Sequence, residues 1–167
     1  ITRKRRNQAR SHSNWQWHLD EVFVKINGER HYLWLAEDHE GEVLESYVSK
    51  RRHSNPYLKS IKRNGQPRIV ITDKLRSYRA AMMIIGNADR QKTDRWINNR
   101  AENSHLPFRR RDRAMLRFRR AKTLQNFVSI HASIQNHFIQ EHYLNSHTNF
   151  KPNRTAALAE WRQLLNA

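Results

Sequence analysis

Three stretches near the start of the chain, each dense in aromatic and β-branched residues and each separated from the next by a turn, constrain the fold more than any other feature. W-Q-W-H-L-D-E-V-F-V-K-I (15–26) has the composition of a strand. Asn27-Gly28 supplies a hairpin turn, and R-H-Y-L-W-L-A-E-D (30–38) is a second strand. Glu40-Gly41 turns the chain again before E-V-L-E-S-Y-V-S-K (42–50), a third. Three successive strands with tight turns make an antiparallel meander. Trp17 and Trp34 read as sheet-face packing, as does Trp15.

Beyond the meander, helix and strand alternate. Ser54-Asn55-Pro56 opens a short helix over Y-L-K-S-I-K-R (57–63), which Asn64-Gly65 and Pro67 end. R-I-V-I-T (68–72) is a short apolar strand of the kind buried in a sheet centre, and it stops at Asp73. Lys74 to Ile85 repeats Leu75, Tyr78, Ala81, Met82 and Ile85 at helical spacing, a core face. Residues 86–95 read as a polar connection. A helix resumes near Asn99 or Arg100 and meets Pro107, which removes a hydrogen bond and kinks or ends it. A long helix over about 121–143 carries Leu124, Phe127, Val128, His131, Ile134 and Phe138 on one side, with His131 as a core histidine rather than a ligand. Residues 145–154 read as a loop, and Thr155 as the cap of a last helix with Ala157, Leu158, Trp161, Leu164 and Leu165 on its apolar face. The expected organisation is a basic tail or linker at 1–14, a domain at 15–145, and a loop and helix at 146–167 packing on that domain.

The order β-β-β-α-β-α, with helices after it, resembles the opening of the ribonuclease H-like fold, an α/β architecture whose mixed sheet contains an antiparallel meander and carries helices on its faces. There the fourth strand pairs in parallel with the first. That pairing is expected to set Asp20, on the first strand, beside Asp73, at the end of the fourth. Glu102, arriving on a later helix, completes a cluster of three carboxylates. Magnesium prefers hard oxygen ligands, and a pair of metal ions about 4 Å apart can activate a nucleophilic oxygen and stabilise the leaving oxygen of a phosphodiester. Glu21 is the neighbour of Asp20 and so faces the other way.

Charge names the partner. The 167 residues carry a formal net charge of +17, which calls for a polyanion, nucleic acid first. Residues 1–10 hold Arg3, Lys4, Arg5, Arg6 and Arg10 with no acid. Residues 109–122 hold Arg109, Arg110, Arg111, Arg113, Arg117, Arg119, Arg120 and Lys122 against Asp112 alone. Lys74 and Arg76, just after Asp73, are further candidates for phosphate contact, with a solvated helix start as the plainer reading. The chain lacks cysteine, which removes disulfides, thiolate zinc and thiol catalysis and fits a cytoplasmic protein. No run of about 18 apolar residues is present, so no membrane partner is expected. The chain begins at Ile1 rather than Met, as a piece of a longer protein would.

Four segments in order, W-H-L-D-E-V-F-V-K-I-N-G (17–28), I-T-D-K-L-R-S-Y (71–78), W-I-N-N-R-A-E-N-S-H (96–105) and M-L-R-F-R-R (115–120), resemble the catalytic domain of bacterial insertion-sequence transposases of the IS6 type. The resemblance implies an integrase-like DDE domain with an acid triad, matched by Asp20, Asp73 and Glu102. It also implies Mg²⁺ or Mn²⁺, two ions, held by those three residues. A basic residue seven positions after the glutamate is matched by Arg109, and His105 would share its helical face. The partners implied are DNA, as transposon ends and target, and further copies of the chain assembled on it, with the protein on the nucleoid of a bacterial cytoplasm when bound. Relatives of full length carry an N-terminal helix-turn-helix that this sequence does not contain, so the chain is expected to be truncated. Two other readings compete: a decayed transposase remnant that binds DNA without cutting it, and another ribonuclease H-like nuclease, such as a junction resolvase or an RNA–DNA hybrid hydrolase.

Overall fold

The computed structural model describes residues 16–51, 55–72, 76–93, 106, 108–113, 118–138 and 147–166. Strands β1 (Gln16–Ile26), β2 (Glu29–Asp38) and β3 (Val43–Ser49) form the meander, helix α1 (Asn55–Asn64) leads to β4 (Ile69–Thr72), and α2 (Arg76–Ile85) and a 3-10 turn (Ala88–Arg90) lead to β5 (Gln91–Lys92). Helices α3 (Ala121–Phe138) and α4 (His147–Leu165) come last. The five strands lie in the order β3-β2-β1-β4-β5. β1 pairs antiparallel with β2 and parallel with β4. This mixed sheet, with its meander at one side and helices packed on it, is the ribonuclease H-like architecture.

The β1–β2 register rests on two residues. Asn27 and Gly28 sit at φ 49° and 80°, the doubly left-handed geometry of a two-residue hairpin turn whose twist matches the strands. Every pair across the hairpin is then fixed, from Ile26 with Glu29 to Trp17 with Asp38. The second turn is built on Asp38. Its Oδ1 accepts from the N–H groups of Glu40 and Glu42, both at 2.9 Å, while Gly41, at φ 88°, donates to the Asp38 carbonyl at 3.1 Å. Burial pushes the Asp38 carboxyl pKa up, and the Glu42 and Glu40 N–H groups only partly oppose this.

The raised pKa has a definite sign. The folded state holds the Asp38 proton more tightly than the unfolded state, so this group lowers stability at neutral pH, and that loss is recovered as pH falls through the folded pKa. Asp38→Asn keeps an acceptor for both N–H groups and removes the buried charge. It is expected to flatten that part of the stability–pH curve and raise the melting temperature at neutral pH. Asp38→Ala orphans both donors and should cost about 1–3 kcal/mol in urea unfolding.

Alternation along the strands sorts the core onto two faces. Trp17, Leu19, Trp34, Ala36, Leu44 and Val70 pack with Tyr57 of α1 and with Tyr78 and Met82 of α2. Val22, Val24, Ile26 and Leu33 face the other way, against Phe108, Phe118 and the α3 residues Leu124 and Val128. Phe127 joins this second cluster by ring contacts with Phe108, Phe118 and His131 at 6.2, 5.2 and 5.9 Å. His131 is half-buried, and its pKa is lowered by burial first and by Arg111 second. Its ring packs on Phe127, in keeping with the core reading.

Helix α3 also closes the sheet. β3 is an edge strand, and an edge with free N–H and C=O groups invites foreign pairing. Asn136, 7% exposed, accepts from Val43 N–H and donates to the Val43 carbonyl, both at 2.8 Å. Gln125 accepts from Val48 N–H at 2.8 Å and donates to the Ser46 carbonyl at 2.9 Å. Two side-chain amides thus take the place of a further strand. Asn136→Ala leaves both Val43 groups without those partners and should cost about 2 kcal/mol in chemical denaturation.

Three expectations are corrected. The polar connection at 86–95 contains β5, which pairs in parallel with β4 (Val70 with Gln91). It is two polar residues long, with no hydrophobic pattern to reveal it, and Gln91 Nε2 bonds Thr72 Oγ1 at 2.8 Å. The loop expected from 145 to 154 is helical from His147, and Thr155 is no cap: its hydroxyl donates back to the Lys151 carbonyl at 3.0 Å inside α4. Pro152 lies within that helix, where it removes one N–H donor without stopping the turn. The apolar face of α4 meets α3 only in part. Trp161 packs on His137 and Phe138, and His137 Nε2 lies 2.8 Å from the Ala157 carbonyl, but Leu158, Leu164 and Leu165 are exposed. Among the described residues, no helix is long and apolar enough to cross a membrane.

Candidate active site

Asp20 lies in the central strand at the point where the sheet changes character. Up to Leu19, β1 is flanked on both sides, by β2 and by β4. The last described β1–β4 pair is Leu19 with Thr72, and from Asp20 to Ile26 the described partner is β2 alone. A carboxylate here sits within β1, one residue past the last described parallel pair with β4. Asp20 is 9% exposed, and its Oδ1 accepts from Glu21 N–H at 2.8 Å.

The alternation that separates the two cores decides which way Asp20 points. It shares a face with Val22 and Val24, the side of Phe108, Phe118 and α3. Glu21 pairs with Trp34 on the opposite face, as expected of a neighbour on a strand. Thr72, two residues beyond Val70, belongs to the face of Trp17 and Leu19.

The remaining expected site residues divide into two groups. Asp73, Glu102, Lys74, His105 and Arg117 lie outside the described residues, as does Pro107. Arg76 is the first residue of α2. Arg109, Arg110, Arg111 and Arg113 are all exposed on a helical stretch at 108–113. Phe108 anchors that stretch in the core, 5% exposed, and Asp112, four residues on, is half-buried on the same side. Phe108 and Asp112 mark the inner side of this helical stretch, and the four arginines around it are exposed. Arg119 and Arg120 are exposed just before α3, and the Arg119 carbonyl accepts from Asn27 Nδ2 at 2.8 Å. This bond ties the basic segment to the tip of the Asp20 hairpin.

Sequence reasoning passed over two buried groups beside Asp20. His18 and Glu37 face each other across β1 and β2, 4% and 2% exposed, one alternation from Asp20 on the same sheet face. Gln16 Nε2 lies 2.9 Å from His18 Nε2. The signal was present: a two-residue turn at Asn27-Gly28 fixes which residue opposes which all along the hairpin. Among the described residues, no group of three His, Asp or Glu side chains is placed to hold a metal ion. Asp20 is one hard-oxygen donor, and the chemistry of its carboxylate suits magnesium or manganese.

The chain is similar to several known proteins. The transposase for insertion sequence-like element IS431mec of Staphylococcus aureus is 34% identical over 100 residues, covering 54% of this chain and 45% of the relative. The transposase for insertion sequence element IS257 in transposon Tn4003, also of Staphylococcus aureus, matches to the same extent, 34% over 100 residues. The matched region is thus about half the length of these curated relatives. The HTLV-2 integrase catalytic core domain in complex with magnesium is similar at 18% identity and a TM-score of 0.45, over 55% of this chain and 65% of that one. The family described as a DDE domain matches residues 14–141. The chain belongs to this family, the DDE domain of IS6-type insertion-sequence transposases.

Proposed function

We propose that this chain is the catalytic domain of a transposase that cleaves and joins DNA strands with divalent metal ions, and that Asp20, Asp73 and Glu102 hold those ions. The observation that carries this reading is the parallel β1–β4 register. It pairs Leu19 with Thr72, and in the sequence each of these two residues is followed by an aspartate. Asp20 lies on the face opposite to Thr72, where strand alternation would also direct Asp73. Mg²⁺ or Mn²⁺, two ions by this reading, would supply Lewis acidity at the phosphodiester and a nucleophilic oxygen at neutral pH.

The chain's own residues have simpler tasks. Asp20 offers a carboxylate from a rigid central strand, oriented by the Glu21 N–H. Arg109, Arg110, Arg111, Arg113, Arg119 and Arg120, together with Arg117, Lys74, Arg76 and His105, hold the phosphate backbone. Transposon ends and target DNA are the substrates. Further copies of the chain assemble on them, in a bacterial cytoplasm and on its nucleoid. Residues 15–145 are the catalytic unit, and 1–14 are a basic tail or linker.

A protein joining this chain to such an end-reading region should nick and join DNA carrying the cognate end when Mg²⁺ or Mn²⁺ is supplied, and should stop when EDTA is added. Binding without any metal-dependent strand breakage would favour the decayed remnant. Cleavage of RNA–DNA hybrids or four-way junctions in preference to transposon ends would favour a different nuclease.

A further inference from the structure

The hairpin that carries Asp20 on one face carries a different surface on the other. Phe23 and Lys25 alternate onto the face of Trp17 and Leu19, but they lie toward the hairpin tip, beyond the core cluster that packs on α1 and α2. Phe23 is 56% exposed. It stands opposite Tyr32 in the register, with ring centroids 5.2 Å apart and planes inclined at 57°. The Arg30 guanidinium carbon lies 5.1 Å from the Phe23 centroid, and Arg30 pairs across the hairpin with Lys25. Both basic residues are exposed.

An exposed ring on a sheet face, with a guanidinium over it and an ammonium beside it, has the chemistry of a base-stacking platform. A guanidinium plane stacks on a base as an aromatic ring does, and its charge meets the adjoining phosphate. Lys25 and Arg30 supply exposed positive charge beside the Phe23 ring. Through the Asn27 bond to the Arg119 carbonyl, the hairpin tip adjoins Arg119 and Arg120, so positive charge continues from the arginine run to the platform.

We propose that this face binds one unpaired nucleic-acid strand, with a base stacked on Phe23 and Arg30 and the backbone held by Arg30 and Lys25. The strand is single because the base faces of a duplex are already stacked and out of reach of a ring on a sheet. A second copy of this chain is disfavoured as the occupant. Two such faces would bring Lys25 and Arg30 against their own kind, in a chain of net charge +17. The surface lies on the opposite side of the sheet from Asp20, so it stands or falls independently of the carboxylate chemistry.

Fluorescence anisotropy on the full chain tests it, with a labelled oligothymidylate of about 15 nucleotides and a duplex of the same length as probes. Phe23→Ala should weaken single-strand binding about tenfold or more and leave duplex binding within about twofold. Phe23→Trp should restore the affinity, with emission quenched when the oligonucleotide binds. Arg30→Gln should lower the salt dependence of single-strand binding by about one phosphate contact. Far-UV circular dichroism and melting of each variant check that the fold is kept, which the exposure of Phe23 predicts. Unchanged single-strand affinity in Phe23→Ala, or an equal loss on duplex, would overturn the proposal. So would a dimer in sedimentation that Phe23→Ala dissolves, which would assign the face to self-association.

Discussion

Asp20→Asn, Asp73→Asn and Glu102→Gln are each expected to lower strand cleavage and joining at least about a thousandfold, in a protein that also carries an end-reading region. Each substitution replaces a carboxylate by a neutral amide of the same shape. The Oδ1 of Asn at position 20 can still accept from Glu21 N–H, as Asp20 does at 2.8 Å, so the strand should keep its conformation. Removing one ligand of a shared ion disables the site as a unit. Double variants should therefore be no worse than single ones, and DNA affinity should change by no more than a few-fold. Activity surviving in one of the three would place that residue outside the site.

The second large effect is ionic. Arg109, Arg110, Arg111, Arg113, Arg119 and Arg120 are all exposed, and Phe108 marks the inner side of the helical stretch that holds the first four. Phosphate contacts give affinity with little sequence information. The chain should bind duplex DNA almost irrespective of sequence. If about six phosphates are engaged, raising salt from about 50 to about 200 mM should weaken binding on the order of a thousandfold. Reversing charge at Arg110, Arg113, Arg119 and Arg120 together should flatten that slope on every sequence alike. A salt-insensitive complex, or a preference of several kcal/mol for one duplex sequence, would show that the arginine run has another role.

Much of the fold was legible because local and tertiary signals agree. Asn27-Gly28 specified both the turn and the register, and the aromatic and β-branched runs became β1 to β3 with few boundary changes. The spacing of Tyr78 and Met82 foretold the buried side of α2. β5 was not legible, since Gln91 and Lys92 hold no strand pattern and their place depends on β4 being there to pair with. Nor was the amide cover of β3: Gln125 and Asn136 look like ordinary polar helix residues until α3 is laid along the edge. The start of α4 was misread because Pro152 and its polar neighbours suggest a loop, and the helix accommodates the missing N–H. For the site, Asp20 falls on β1 and β4 is described to Thr72, while Asp73 and Glu102 lie outside the described residues. The pairing of His18 with Glu37 was deducible from the turn, but metal-ligand spacing along the chain carries no sign of a neighbour across the hairpin.

The central claim is that three carboxylates meet at one metal site, and crystals of the chain soaked in Mn²⁺ test it most directly. Anomalous scattering should locate manganese against the Asp20 carboxylate with Asp73 as a second ligand, and the peak should vanish in Asp20→Asn. Manganese bound elsewhere, or an Asp73 carboxylate on the far side of the sheet from Asp20, would contradict the account.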